Sequence, residues 1–293
     1  MIRRGVLVLV GLAATWLALG GGPAPARAQG SIHLVLTPSQ KPTDLLEAGE
    51  AFGVALGKLL GTPVRVTVAS DYAAIIEALR NRSADLAFVH PVGYVLANRE
   101  AKARIIAKDQ WHGNTSYTAR IWVRKDSGLK TLEDLRGKTI AFVDPASSSG
   151  YVYPMVMLIQ KGLVQNRDPK TFFKEALFAG SHDAGLFALL RGQVDALGSF
   201  DQAREQYLKD PAEREKLTWV AESAPIPEGG ICGREGLDPA VVAKVRAALL
   251  QMHGPPYEAL LKKLYDIDGF EPAEDREYEV VRAAMDLVGL KPR

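Results

Sequence analysis

The sequence predicts an α/β fold of two lobes, and three features predict it. Short β-branched runs alternate with amphipathic helical stretches along the body of the chain. A second α/β set sits inside the first, and crossing strands near 118–124 and 217–226 join the two. The 293 residues supply enough chain for two cores at about 100–200 residues per domain. Apolar residues at 47% and charged residues at 24% exclude disordered and fibrous classes.

The chain opens on Met1-Ile2-Arg3-Arg4, a basic start. Gly5–Leu19 follows without a charge, then Gly20-Gly21-Gly22-Pro23 and Ala26-Arg27-Ala28. Basic, apolar and small-residue regions in that order make residues 1–28 a secretory signal peptide, cleaved after Ala28. The rival reading, an uncleaved anchor, needs an apolar run of about 20 residues, and this one is shorter. The mature chain is expected in a bacterial periplasm. Its loss of Arg3, Arg4 and Arg27 leaves 33 basic residues against 34 acidic ones. Nucleic acid is therefore not expected as a partner, and any bound anion must be held by local donors.

In the first set, Ile32–Leu36 reads as a strand and Leu45–Leu60 as a helix that stops at Gly61, a C-cap signal. Val64–Val68 is a second strand. Tyr72–Arg80 is a helix with Ser70 or Asp71 as N-cap, and Asp85–Val89 is a third strand, ended by His90-Pro91. This β-α-β-α-β order with short links implies a mostly parallel sheet covered on both faces. The second set opens with one long alternating strand, Tyr117–Arg124. A short helix Thr131–Leu135, a strand Thr139–Val143 and a helix Gly150–Gly162 come next. The run Phe172–Ala179, a helix from about Asp183 to Leu190 and a strand Ala196–Phe200 continue it. Ala203–Lys216 reads as a charged helix with a solvated face, and Leu217–Glu222 as the return strand. Helical patterns at Val241–Met252, Tyr257–Tyr265 and Asp275–Val288 then pack on one lobe. The expected division is lobe 1 at residues 29–118 plus 224–293, with lobe 2 at 119–223 inserted.

Ligands of open α/β sheets sit beyond the carboxyl ends of strands, so the strand-to-helix loops carry the chemistry. Asp144-Pro145-Ala146-Ser147-Ser148-Ser149-Gly150 places three hydroxyls where a helix begins, beside unpaired N–H groups and the positive end of the dipole. That suits an oxyanion; the alternative is one capping serine among loop residues. Ala179-Gly180-Ser181-His182-Asp183 is a second such junction. His182 is either an anion donor, which an anion would favour in its protonated form, or an exposed first-turn residue. Tyr72, after Ser70-Asp71, and Tyr117, heading the crossing strand, each read as a cleft donor or as core.

Taken together, these junctions resemble the phosphate/phosphite/phosphonate-binding proteins of ABC importers. The resemblance runs from about Ile32 to Leu290 through Ser70-Asp71-Tyr72-Ala73, Asp85–Val89, Pro91, Tyr94–Ala97 and Leu132–Lys138. It continues through Asp144–Gly150, Gly180–Asp183, Gly192–Ala196 and Ser223–Pro227. It implies a type II-like periplasmic-binding-protein fold with two mostly parallel or mixed sheets flanked by helices and joined by hinge strands. By the same resemblance Ser147 and Ser148 would hold the oxyanion, Ser149 would complete the helix cap, and His182 would donate from the opposite side. Tyr72 would contact the oxyanion from the first lobe, Tyr117 would line the cleft near the crossing, and Asp201 matches an acid that contacts an amino end in relatives. The chain departs from the family pattern at Ile226-Pro227-Glu228-Gly229-Gly230, where an aspartate is usual, and at His90-Pro91-Val92-Gly93-Tyr94, which gains an imidazole. His90 and Glu228 thus join the candidates for substituent selectivity.

The implied partners are a small phosphorus oxyanion and ABC permease subunits, through which alone the protein, a monomer, would contact the membrane. A sensory alternative pairs the same cleft with a membrane histidine kinase and extends to arsenic-type oxyanions. A hydrolytic triad of Ser148, His182 and Asp201 is disfavoured by the absence of a G-x-S-x-G elbow. No cofactor or metal is expected: histidines 33, 90, 112, 182 and 253 lack ligand spacing, and Cys232, a lone packed or partly exposed thiol, has no partner.

Overall fold

The computed structural model describes residues 30–290; the signal peptide expected at residues 1–28 lies outside them. Strands β1 (Ile32–Leu36), β2 (Val64–Val68) and β3 (Leu86–Val89) pair in parallel, with helices α1 (Pro42–Leu60) and α2 (Tyr72–Arg80) between them. Asp71, not Ser70, caps α2: its carboxylate accepts the Ala74 N–H at 2.8 Å. Helix α3 (Pro91–Ala101) and strand β4 (Arg104–Gln110) follow. The expected single strand Tyr117–Arg124 is two. β5 (Ser116–Tyr117) and β6 (Ala119–Arg124) break at Thr118 because they pair with different partners.

The inserted part continues with β7 (Thr139–Phe142), α4 (Tyr153–Gln160), β8 (Glu175–Phe178), α5 (His182–Leu190) and β9 (Ala196–Phe200). The charged stretch Ala203–Lys216 is not one helix but two short ones, α6 (Ala203–Tyr207) and α7 (Pro211–Arg214). Pro211 bars its predecessor Asp210 from helical geometry, and Leu208 turns extended to bury its side chain. Strand β10 (Leu217–Glu222) leads back to β11 (Ile226–Pro227) and β12 (Gly230–Gly233). Helices α8 (Pro239–Leu249) and α9 (Glu258–Tyr265), strand β13 (Gly269–Pro272) and helix α10 (Glu279–Val288) complete the chain.

A six-stranded sheet runs β13-β4-β12-β3-β1-β2 and a five-stranded sheet runs β10-β6-β9-β7-β8. Both are mixed. Strand β12 lies antiparallel between β3 and β4, and β6 lies antiparallel between β9 and β10. This is the two-lobed periplasmic-binding fold, with every strand of the second sheet lying between β5 and β11. Those two short strands pair with each other, Ile226 opposite Tyr117, and Ser223 N–H donates to the Ala119 carbonyl at 2.8 Å. The crossings are thus tied side by side. Under the first sheet Phe52, Phe88, Tyr265 and Phe270 pack their rings at centroid distances of 4.7–6.0 Å. Trp122, Leu186, Leu189 and Leu197 fill one face of the second sheet. Cys232 is fully buried in β12, and burial pushes its thiol up to about 12. Among the described residues no helix is long and apolar enough to cross a membrane.

Candidate functional site

The serine turn is held by backbone and side-chain hydrogen bonds at each of its ends. A regular helix does not start at Gly150, as the sequence pattern suggests; Ser148–Val152 forms a wider turn of the π type that runs into α4. The cause is Pro154, which has no N–H to give the Gly150 carbonyl four residues earlier. That carbonyl instead accepts the Val143 N–H at 3.1 Å. The Val152 N–H reaches back five residues to the Ser147 carbonyl at 3.0 Å, widening the turn. The cap is Ser147, whose Oγ accepts the Gly150 N–H at 3.1 Å, and not Ser149. Ser148 Oγ accepts a different donor, the Val92 N–H at the start of α3, at 3.0 Å. Both serine oxygens thus take up a backbone N–H, which frees each hydroxyl hydrogen to donate onward.

These hydroxyls bound a small cavity between the two sheets. Of the sequence candidates, His90, Tyr117, Ser147, Ser148, Ser149, His182 and Glu228 line it. Tyr72 and Asp201 do not. The Tyr72 hydroxyl is buried beside Ser147; burial first and the Asp144 charge second push its pKa up, against the serine. Asp201 stands at the crossing, where its N–H donates to the Thr118 carbonyl at 3.1 Å and its own carbonyl accepts from Arg120 at 2.8 Å. The cavity measures about 70 Å³. At some 10–15 Å³ of such space per water, that is room for roughly five water-sized groups.

Sequence reasoning missed five polar wall residues: Ser39, Asp109, Gln206, Tyr207 and Tyr265. Tyr207 lies in the stretch read as a solvated face, and Asp109 in a run whose polar end, Lys108-Asp109-Gln110, looks like the exit of a strand. The His182 N–H donates to the Ser39 carbonyl at 3.1 Å, a second bond, with Val92–Ser148, between the parts carrying the two sheets.

Among the described residues no lysine or arginine lines the cavity. The histidines are neutral as well. Burial lowers His90 to about 4, and burial with His90 nearby lowers His182 to about 3. His182 is therefore a neutral donor here, not the imidazolium an exposed junction would allow. Its Nδ1 lies 2.7 Å from Ser199 Oγ. When Ser199 donates that bond, Nε2 carries the ring's hydrogen. An anion in this cavity meets hydroxyls, an imidazole N–H and the N-terminal ends of α3 and α5 in place of water.

Two acids share the wall. Burial raises Asp109 to about 7 and raises Glu228 well above the carboxylate range, the Asp109 and Asp201 charges adding to the latter. From about pH 4.5 to 6.5 unfolding would protonate the histidines and ionise the acids, so the two effects on stability oppose each other. Above pH 6.5 the histidines drop out. Stability of the ligand-free protein should then fall as pH rises through about 7, while the buried acids resist ionisation. Asp109→Asn should melt higher than the parent at pH 8 by about 3–6 °C, for roughly 1–2 kcal/mol. Its advantage should vanish near pH 4, which thermal unfolding across pH will check.

Comparison with known proteins agrees with this geometry. Residues 34–278 match the family described as the ABC transporter, phosphonate, periplasmic substrate-binding protein. The chain is 28% identical over 284 residues to a phosphate-import protein of Mycolicibacterium smegmatis, covering 88% of this chain and 86% of that one. A binding-protein component of an ABC phosphonate transporter from Pseudomonas aeruginosa superposes with a TM-score of 0.80 at 24% identity, over 89% and 87% of the two chains. PhnD1 of Prochlorococcus marinus, solved with methylphosphonate, gives 0.79 at 20% identity, over 88% and 98%. The match over most of its length places the chain in the family of periplasmic substrate-binding proteins of phosphonate ABC transporters.

Proposed function

We propose that this binding protein, which is not an enzyme, captures a small phosphorus oxyanion between its lobes and delivers it to an ABC permease. The ligands that suit it are phosphate, phosphite or a short phosphonate. The lobes are residues 29–118 plus 224–293 and residues 119–223, hinged at the tied crossings. The observation that carries this reading is the serine turn: Ser147 and Ser148 both line the cavity, and each oxygen accepts a backbone N–H, so each hydroxyl keeps a hydrogen to donate. The volume supports a ligand of about five heavy atoms, the size of phosphate or methylphosphonate. The M. smegmatis relative is named for phosphate import and the P. marinus protein was solved with methylphosphonate, two ligands of that size.

Calorimetry of the mature protein against phosphate, phosphite, methylphosphonate, 2-aminoethylphosphonate and arsenite tests the reading. Absence of binding to every phosphorus compound overturns it. Ser148→Ala and His182→Ala should each weaken the best ligand by about 1–3 kcal/mol, the worth of a hydrogen bond to a charged group. Unchanged affinity in both would reduce the turn to a helix cap. Delivery is checked with the permease and its ATPase in liposomes: the loaded protein should stimulate ATP hydrolysis, and a flat response would favour the histidine-kinase pairing.

A further inference from the structure

The cavity wall holds two carboxyls that a simple anion site has no use for. Asp109, on β4, is 4% exposed, and Glu228, between β11 and β12, is 7% exposed. The Asp109 N–H donates to the Gly229 carbonyl at 3.2 Å, which fixes the two residues as neighbours across the sheet. Asp109 Oδ1 and Glu228 Oε1 are both fully buried without a hydrogen-bond partner, and both residues line the cavity. Among the described residues that line the cavity there is no lysine or arginine to neutralise them. The Lys108 ammonium is taken by Glu277, and the Arg120 guanidinium by Glu222. The groups that face the pair from the surrounding elements are Tyr117 on β5, Tyr265 on α9, Tyr278 before α10 and Asp201 after β9. His90 lines the same space from the start of α3. None of these brings a positive charge.

We propose that Asp109 and Glu228 together hold one proton, and that the carboxylate left ionised selects oxyanions that carry a hydrogen of their own. The proposal rests on the reading of the cavity as a phosphorus-oxyanion site. An ionised carboxylate only accepts hydrogen bonds, and so does a fully ionised oxyanion; set face to face, they repel and leave lone pairs unmet. A ligand with a P–OH group donates to the carboxylate, while the neighbouring carboxylic acid donates to a P–O⁻. The burial that raises both acids keeps a proton on the pair at neutral pH. Hydrogen phosphate and a singly protonated phosphonate meet this requirement. Sulfate, of nearly the same size and shape, has no hydrogen at pH 7.5 and must draw a second proton from solvent.

Calorimetry of the mature protein in buffers of different ionisation enthalpy, at pH 6.0, 7.5 and 8.5, reads both affinity and proton uptake. Phosphate and methylphosphonate should bind at pH 7.5 with sulfate weaker by ~10²-fold or more, since a site built to receive a hydrogen rejects analogues lacking it. The gap should narrow at pH 6.0, and proton uptake on binding should grow toward pH 8.5. In Asp109→Asn and in Glu228→Gln the amide supplies the donor. Sulfate should gain at least about tenfold in either, and the proton uptake should shrink. Sulfate binding as well as phosphate in the parent, or unchanged sulfate affinity in both variants, overturns the proposal and leaves the phosphorus reading standing. So does 2-aminoethylphosphonate binding far above methylphosphonate, which would make the pair an ammonium receptor. Failure of every phosphorus compound to bind removes the function and this inference together.

Discussion

Gly230→Ala is expected to destabilise the protein by about 3–5 kcal/mol, enough to lower its melting temperature by roughly 10 °C or to prevent folding. Gly230 opens β12 at φ +148°, a conformation that side-chain-bearing residues rarely adopt. A Cβ there would stand 2.1 Å from the Ala107 carbonyl oxygen and 2.6 Å from Lys108 Cα. Both are backbone atoms of β4, held in the sheet by β12 itself and by β13, so neither can swing aside. Gly229 is as tightly placed, with a Cβ position 2.2 Å from the Val89 carbonyl oxygen of β3. The two glycines let the chain enter between β3 and β4 and bring Glu228 to the cavity on the way. Gly113→Ala serves as the reference, since its φ is +75° and nothing lies within 4 Å of the added carbon. It should lose only the backbone term, about 1 kcal/mol. A Gly230→Ala protein that melts with the Gly113→Ala protein would show that β12 can shift within its slot.

That pair of glycines also marks where the sequence stops being readable. Strands β1 to β3 and helices α1 and α2 were legible because their pattern is local: β-branched runs, apolar positions at helical spacing, and caps at Asp71 and Gly61. The serine turn was legible because its chemistry lies in consecutive residues. Strand β12 was not. Its Gly230-Ile231-Cys232-Gly233 has no alternation, and its partners lie more than 120 residues earlier. The cavity shows the same split. His90, Ser147–Ser149 and His182 stand at the starts of helices, where sequence marks function. Asp109 and Tyr265 come from a strand and a helix end that meet only after the sheet assembles. A buried, unpartnered carboxylate has no signature of its own in a single sequence, because burial is a property of what packs over it. The solvated-face reading of Ala203–Lys216 holds only in part: Lys209, Asp210, Glu215 and Lys216 are exposed, yet Arg204 packs over Trp122 and Trp219, and Tyr207 reaches the cavity wall from the end of a helix one and a half turns long.

Gly150→Ala should lower oxyanion affinity by about 10–100-fold and stability by about 1–3 kcal/mol, the range for forcing extra volume into a packed site. The added carbon would lie 2.5 Å from Val143 Cβ and 2.6 Å from Ser147 Oγ. Val143 is fully buried and anchored, its N–H bonded to the Gly150 carbonyl. The anchored valine cannot yield, so the turn itself must shift, and Ser147 is pushed with it. When its Oγ swings away, the Gly150 N–H loses its acceptor and the serine hydroxyl no longer points where the turn aims it. The effect on binding should exceed that of Ser147→Ala, because the wider turn also sets the height at which Ser148 meets the Val92 N–H. Two measurements separate the roles of this turn: the Kd for phosphate or methylphosphonate well below the variant's melting temperature, and the melting temperature itself. A fall in stability with affinity intact would mean that the turn only starts a helix. A fall in both, with Ser147→Ala losing affinity and only the ~1 kcal/mol of stability its cap supplies, would mean that the wider winding exists to aim hydroxyls at an anion.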